Sequence, residues 1–490
     1  MNNSGSRSVV LNAVKWASIT EIAAKIIQPV TNMILARILL PEAFGVVVAI
    51  SMVVSFIDIF TDAGFQKYLV QHEFENKQDQ NNIINVAFWT SLLISVLFWG
   101  GIIVFRNPIA ILIGNPMLGN VIVISCMQLP LNSIYGIQMA LYRRKFDFHT
   151  LFVVRMVAVF LPFIVTIPLA LFGLSYWALI IGSICGNLVS VGILTIKSEW
   201  KPNCYYNFEK LKDMLSFSVW SLIEAISIWL TAWVDALIVG SVLSSYYLGI
   251  YRTSLNMVNS LMAVVTASTT TVLFVALSRL QDNNEAFNKA FFDMQRATSI
   301  ILFPMGVGLF LYSDVATRLF LGSEWEEASS IIGIWALMTA ISIVFGHYSS
   351  EAYRAKGKPK LSFLAQMLHL VVLVPTCLIA MQYSFMILVY ARALIKIQIV
   401  IVHLIIMRIE FKISPFAILK NTVKPMLFTI TMTAIAILLK MVSSSLVWSI
   451  ISIAICVVAY AIILYLFDTD ELKKIQAIFL KRKRKLTISN

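Results

Sequence analysis

Arg392 and Lys396 stand one helical turn apart inside a long apolar run, and His403 falls on the same helical face. A charged side chain in hydrocarbon costs roughly 2.5–3.5 kcal/mol or more. Two like charges with no acid in their own segment cannot neutralise one another, so they are expected to face water or an anion. Arginine in such a place grips phosphate oxygens in a two-pronged fork. Other cations recur on polar stripes. Lys25 shares a face with Glu21, Gln28 and Asn32; Arg252 shares one with Asn256, Asn259, Thr266 and Thr270; Arg155 enters a span about a turn from its start. Carboxylates accompany them. Ser51, Ser55, Asp58 and Asp62 repeat the i, i+4, i+7, i+11 spacing of the Glu21 stripe, and Glu224, Thr231 and Asp235 share a face further on. Such residues predict a water-accessible cavity in which Lys25, Arg155, Arg252, Arg392 and Lys396, with Asn32 and Asn256, bind an anionic substrate. Glu21, Asp58, Asp62, Glu224 and Asp235 hold those cations apart when the cavity is empty, or carry a coupling proton or sodium ion.

Each of these has a purely structural alternative. Glu21 and Lys25 can pair along their helix. Arg155 and Arg354 lie near span ends and can snorkel to the interface, as Arg252 can at the other end. Asp58 and Asp62 can accept hydrogen bonds at a helix end, and Asp235 can lie at the surface. His369 and His403 can be packed or hydrogen-bonded groups. Gln128, Asn132 and Tyr135 line part of one segment, and His347, Glu351 and Arg354 share a face in another.

The elements that must position these side chains are membrane helices. Hydrophobic residues make up 59% of the chain and charged ones 13%, about half the charged fraction of a soluble protein, and the mean hydropathy is +0.84. A span needs about 20 apolar residues. Counting on that basis predicts about fourteen, near 15–38, 43–66, 83–105, 118–141, 150–172, 176–197, 214–239, 246–276, 292–312, 328–353, 361–381, 384–408, 422–440 and 446–467. The runs are too long for barrel strands, and no cleavable leader is expected before the first of them.

Net charge is +13, and its placement matters more than its size. Basic residues crowd alternate connectors, such as Arg143-Arg144-Lys145, Lys197 to Lys212 and Arg354 to Lys360, while the opposite set holds little beyond Arg106, Arg318 and Lys440. The positive-inside rule then puts both termini in the cytoplasm, consistent with an even number of spans. The tail Lys481-Arg482-Lys483-Arg484-Lys485 reads as a cytoplasmic end drawn to anionic lipid rather than a nucleic-acid site. Segments Lys67–Glu75, Phe208–Met214 and Phe411–Leu419 read as amphipathic helices in the interface.

A repeat is visible at a shift of 204 residues: Trp16 falls on Trp220, Ile34 on Ile238, Leu39 on Leu243 and Gly45 on Gly249. An even number of spans separates the copies, so they run parallel and predict a symmetry axis along the membrane normal with the polar site between the halves. The expected divisions are 1–197, a first six-helix lobe; 198–213, an amphipathic linker; 214–408, a second six-helix lobe; 409–467, two extra helices; and 468–490, the basic tail. No cofactor is expected. The cysteines at 126, 185, 204, 377 and 456 lack any metal or disulfide pattern and read as packing residues. There is no nucleotide-binding Gly-x-x-x-x-Gly-Lys-Ser/Thr, no catalytic-metal spacing and no Gly-x-Ser-x-Gly elbow. The outer connectors are too short to hold the donor and acceptor of a polymerase or ligase, so no enzyme is expected.

The segment Ile34-Leu35-Ala36-Arg37-Ile38-Leu39-Leu40-Pro41-Glu42-Ala43-Phe44-Gly45, with Phe60-Thr61-Asp62-Ala63-Gly64-Phe65 and Leu69-Val70-Gln71, resembles the Wzx-type oligosaccharide flippases. It is most similar to the branch of colanic-acid and teichuronic-acid exporters in the multidrug/oligosaccharidyl-lipid/polysaccharide exporter superfamily. Tyr142-Arg143-Arg144-Lys145-Phe146-Asp147-Phe148 and Tyr353-Arg354-Ala355-Lys356-Gly357-Lys358-Pro359 look like the same branch's cytoplasmic connectors. The resemblance implies an all-α bundle of two pseudo-symmetric six-helix lobes in a V around a central cavity, working by alternating access in a bacterial cytoplasmic (inner) membrane. It implies undecaprenyl-diphosphate-linked oligosaccharide as the substrate, moved to the outer leaflet for capsule, O-antigen or exopolysaccharide assembly. Contacts with polymerase or export machinery would follow. The rival is a proton- or sodium-coupled small-molecule exporter of the same superfamily.

Overall fold

An apolar run in hydrocarbon must satisfy its own backbone, and a helix does so within one segment. The computed structural model describes residues 27–469 with Trp16, Thr20, Ala23 and Ala24; for 216–221, 268 and 271 it describes the backbone alone. All regular structure among these residues is helical. We number the long helices α1 (27–38), α2 (Pro41–Asp62), α3 (Lys77–Val104), α4 (Pro116–Arg144), α5 (Phe148–Leu171), α6 (Tyr176–Lys197), α7 (Phe208–Val242), α8 (Ser245–Arg279), α9 (Asn284–Leu311), α10 (Ala328–Ala355), α11 (Lys360–Met381), α12 (Phe385–Phe411), α13 (Val423–Lys440) and α14 (Leu446–Phe467). Among the described residues twelve helices are long and apolar enough to span a membrane, thirteen with the bent helix α8. The shortfall from about fourteen concerns the first span: Glu21, Lys25 and most of residues 15–26 lie outside the described residues, as does the basic tail.

Polar caps fix where several helices begin. Asn76, Asn207, Asn283, Ser384 and Ser445 each accept a backbone N–H of the first turn of α3, α7, α9, α12 and α14. Asn207 corrects one expectation. It starts a single 35-residue helix at Phe208, so the segment 208–214 continues into α7 instead of lying apart in the interface. The other two amphipathic segments do form short helices, Phe65–Gln71 and Pro415–Asn421. The first follows a tight turn in which Ala63 (φ 41°) and Gly64 (φ 78°) are both left-handed. That reversal buries Phe65, Tyr68 and Leu69 beside Ile137 and Ala140 of α4.

The chain divides into two compact units, Met1–Thr253 and Ser254–Asn490, with the seam within α8. In the first unit α4 packs on α3, α6 and α2, and α7 packs on α2. The glycines matched by the 204-residue shift touch there. A Cβ on Gly45 would overlap the backbone of Ser245, and one on Gly249 would overlap that of Pro41. Backbone cannot step aside as a side chain can, so Gly45→Ala is expected to cost about 1–3 kcal/mol by overpacking. The expected result is an earlier thermal loss of the monodisperse peak in detergent.

In the second unit α9 packs on α10 and α13, α11 on α12, and α13 on α14. Two spans there are irregular. α10 contains a π-helical turn at Ile343–His347, and α12 is interrupted at Ile395, between stretches ending at Leu394 and restarting at Lys396. π turns collect at functional sites. No Pro or Gly marks the α12 interruption, and nothing in the sequence explains it.

Candidate functional site

Polar side chains gather in two places, one in each unit. In the first unit α2, α4, α5 and α6 enclose a cavity of about 380 Å³ that Asp58, Asp62, Asn132, Arg143, Arg155 and Asn187 help to line. Asn132 Nδ2 donates to Asp58 Oδ2 at 2.8 Å. Asn187 Nδ2 donates to Asn132 Oδ1 at 3.1 Å and to Gln128 Oε1 at 3.0 Å. The other carboxylate oxygen of Asp58 is buried and accepts no hydrogen bond from the described residues. Asp62 Oδ1 accepts the Gln66 N–H at 3.2 Å, across the left-handed turn. Arg155 is exposed and forms no hydrogen bond or ion pair with a described residue. The cavity thus offers an unpaired acceptor on one wall and a loose guanidinium on another. A small cation or proton suits the first, and an anionic oxygen suits the second.

Other predicted residues of this unit lie elsewhere. Ser51 Oγ and Ser55 Oγ donate to carbonyls of their own helix, at Val47 and Met52, and Ser55 also accepts from Trp229 Nε1 at 3.0 Å. Glu224 forms an exposed ion pair with Lys67 at 3.2 Å. Asp235 is buried, accepting from the Tyr251 hydroxyl at 2.8 Å and lying 4.0 Å from Arg252 Nη1. Arg252 donates to the Ala232 carbonyl at 2.8 Å and stacks on Trp233 at 4.2 Å. Asp235 and Arg252, expected in separate roles, therefore form one buried cluster joining α7 and α8. Gln28 and Asn32 are exposed on α1, and Asn256, already in the second unit, is exposed on α8. The predicted acids among the described residues, Asp58 with Asp62, Glu224, and Asp235, thus fall into three groups.

In the second unit Arg392 and Lys396 flank the interruption of α12 and share one partner. Lys396 Nζ lies 3.4 Å from the centroid of the Trp335 ring, and the Arg392 guanidinium lies 5.2 Å from it. Lys396 Nζ donates to Thr339 Oγ1 at 2.5 Å, while Trp335 Nε1 donates to Asn259 Oδ1 at 3.1 Å. An indole face is the best aromatic partner for a cation. The ring face holds both cations on one side of Trp335. His369 Nδ1 pairs with Gln398 Oε1 at 2.8 Å, and His403 is buried against the Tyr353 hydroxyl at 3.2 Å. Glu351 is buried and paired with Arg354, and His347 Nε2 meets Thr270 Oγ1 at 3.1 Å.

Sequence reasoning missed Trp335, Thr339 and Asn187. Asn187 had a signal, being a lone amide in the run Ile184-Cys185-Gly186-Asn187-Leu188. Trp335 had none, because tryptophan in a span is ordinary packing. Among the described residues no group of three His, Cys, Asp or Glu is placed to hold a metal ion. None of the five cysteines forms a disulfide; Cys126, Cys377 and Cys456 are buried, but Cys204 is exposed and so departs from a packing role.

One further feature is apolar. A groove of about 660 Å³ in the second unit is lined by α9, α13 and α14, including Ile300, Pro304, Met432 and Tyr460.

Comparison with known proteins adds the following. The family described as "Polysaccharide biosynthesis protein" matches residues 34–330. The chain is 26% identical over 332 residues to the succinoglycan biosynthesis transport protein ExoT of Rhizobium meliloti (strain 1021), covering 68% of this chain and 66% of ExoT, just under two thirds of that relative. It is 21% identical over 390 residues to the lipopolysaccharide biosynthesis protein WzxC of Escherichia coli (strain K12), covering 77% of this chain and 76% of WzxC. The lipid II flippase MurJ, in an inward closed conformation, superposes with a TM-score of 0.76 at 17% identity, over 94% of this chain and all of that one. At that identity the likeness is one of fold.

Proposed function

The chain belongs to the polysaccharide biosynthesis protein family, and on that premise we propose that it is a flippase for lipid-linked oligosaccharide. The relative ExoT is named as a transport protein of succinoglycan biosynthesis, and on that likeness the chain is a transporter and not an enzyme. The substrate on this reading is an undecaprenyl-diphosphate-linked repeat unit, carried from the cytoplasmic to the outer leaflet of a bacterial inner membrane by alternating access. About fourteen spans form two six-helix lobes, 1–197 and 214–408, in a V, with 198–213 as linker, 409–467 as two added helices and both termini cytoplasmic. Contact between the repeat-related Gly45 and Gly249 supports the duplication.

The observation that carries the proposal is the pair of cations stacked on Trp335 inside the membrane. A diphosphate bearing sugars cannot cross about 30 Å of hydrocarbon unaided; cations held in place along the path lower that barrier. Arg392 and Lys396 take the diphosphate, with Lys25, Arg155, Arg252, Asn32 and Asn256 along the sugar's path. The groove beside α13 and α14 suits the polyprenyl tail. Asp58 and Asp62 take the coupling ion, a proton or sodium, with Glu21, Glu224 and Asp235 as further candidates; polymerase or export machinery would receive the product. Mass spectrometry of lipids from a deletion strain tests the whole reading. A lipid-linked oligosaccharide should accumulate on the cytoplasmic leaflet, and an unchanged lipid profile would remove the proposal.

A second reading, a cation-coupled exporter of small molecules, draws on the acidic cavity holding Asp58 and Asp62. It requires that the deletion strain become drug-sensitive while its surface polysaccharide stays intact.

A further inference from the structure

A separate cavity of about 470 Å³ lies at the basic end of the first unit. It is bounded by the first turns of α3, the connector after α4 and residues 197–203. Its lining brings together Lys77, Lys145, Lys197 and Lys201 against only two acids, Asp147 and Glu199. None of these residues belongs to the stripes that line the membrane interior.

The floor is rigid. Asn85 Oδ1 accepts the Asn203 N–H at 3.0 Å, and Trp89 Nε1 donates to the Asn203 carbonyl at 2.9 Å. These bonds tie residues 198–203 to α3. Trp200 lines the cavity and packs edge-on against Phe88, and its buried ring nitrogen donates to no acceptor among the described residues. A buried donor without an acceptor is uncommon in a folded protein and points to a group that would supply one.

The lysines differ in how firmly they are held. Lys201 Nζ donates to the Thr195 carbonyl at 2.5 Å, at the C-terminal end of α6. Lys145 pairs with Glu199 at 2.5 Å, and this ammonium holds the Glu199 carboxyl below the usual carboxylate range. Glu199 is fully solvated, so the pair contributes little and is easily exchanged. Lys77 and Lys197 make no hydrogen bond or ion pair with any described residue. The start of the 28-residue helix α3, where backbone N–H groups carry partial positive charge, also faces this space through Lys77, Gln78 and Asn81.

We propose that this cavity is a binding site for a phosphate or diphosphate group, held by Lys77, Lys197 and the Trp200 indole N–H, with Lys145 released from Glu199 to join them. Four ammonium groups against two acids leave two positive charges in excess, one more than a single carboxylate would balance, and the cavity is too small for a nucleic-acid duplex; a multiply charged oxyanion fits both its charge and its size. The exposed apolar side chains of Phe146 and Ile196 flank Lys145 and Lys197 in sequence, so the phosphate can come from a lipid headgroup or from solution. The site does not depend on the transport reading above.

The test uses the full chain in nanodiscs, comparing wild type with Lys77→Gln/Lys197→Gln. One arm titrates inorganic pyrophosphate calorimetrically into phosphatidylcholine discs; the other measures retention of phosphatidylglycerol from mixed discs by native mass spectrometry. Each lysine should be worth about tenfold in affinity, and binding should weaken steeply with salt. Loss in the pyrophosphate arm assigns the site to soluble phosphates, and loss in the lipid arm assigns it to headgroups. Lys289→Gln, outside the cavity, should leave both arms unchanged. Absence of binding in both arms, or equal binding by wild type and the double variant, overturns the proposal.

Discussion

Arg392→Ala/Lys396→Ala is expected to abolish surface polysaccharide while leaving the protein in the membrane at its normal level. The two halves of that expectation have different causes. A charge-assisted hydrogen bond to phosphate is worth about 1.5–3 kcal/mol, so losing two cations weakens substrate capture by at least about a hundredfold. The fold loses much less. Each cation–indole contact contributes about 0.5–2 kcal/mol, and removing a charge from the span recovers about 2.5–3.5 kcal/mol of insertion cost. The recovered insertion cost is the larger of the two terms, so residence in the membrane is not weakened, and Trp335 keeps its bond to Asn259. Conservative variants separate fork from charge. Arg392→Lys retains the charge but loses the two-pronged grip, so it should export less than wild type and more than alanine. The readout is polysaccharide per unit of membrane-resident protein. Normal output from the double alanine variant would remove both residues from the transport path.

Helical spacing made that pair legible in the sequence, because two cations one turn apart in an apolar run have few explanations. The partner that fixes them was not legible: Trp335 lies 57 residues before Arg392 (392 − 335), and an indole in a span carries no polar signal. The same limit explains Asp235 and Arg252. Each seemed separately suspended in the membrane, yet they are joined across the α7–α8 hairpin with Tyr251. A stripe states which side of a helix is polar, not what faces it. On α2, Ser51 and Ser55 share a face with Asp58 and Asp62 but satisfy themselves on their own backbone; only the two acids line the cavity. Span positions were easier, since the cost of unpaired backbone in hydrocarbon leaves helix as the outcome. The interruption at Ile395 and the π turn at Ile343–His347 broke no rule of composition and gave no warning.

Asp58→Asn is expected to uncouple transport from its driving ion with the fold intact. The substitution is nearly isosteric and can keep an oxygen toward Asn132 Nδ2, which now donates to Asp58 Oδ2 at 2.8 Å. The Asn132–Asn187–Gln128 chain therefore survives. What disappears is the charge on the second carboxylate oxygen, the one that accepts no hydrogen bond from the described residues. That oxygen is the natural seat for a proton or sodium ion, because a buried acceptor gains most from a partner that arrives with positive charge. Asp62 is the weaker candidate, since its Oδ1 already accepts the Gln66 N–H. If ion and substrate are linked through this cavity, the coupling free energy is of the usual size, and its loss lowers gradient-driven flipping by about 5–150-fold. Proteoliposomes under an imposed proton gradient, and separately a sodium gradient, identify the ion: wild type should respond to one of them and Asp58→Asn to neither. Asp62→Asn should retain most of the response. A full response from Asp58→Asn would place the coupling ion elsewhere, and equal behaviour of wild type with and without either gradient would mean that no ion drives the step.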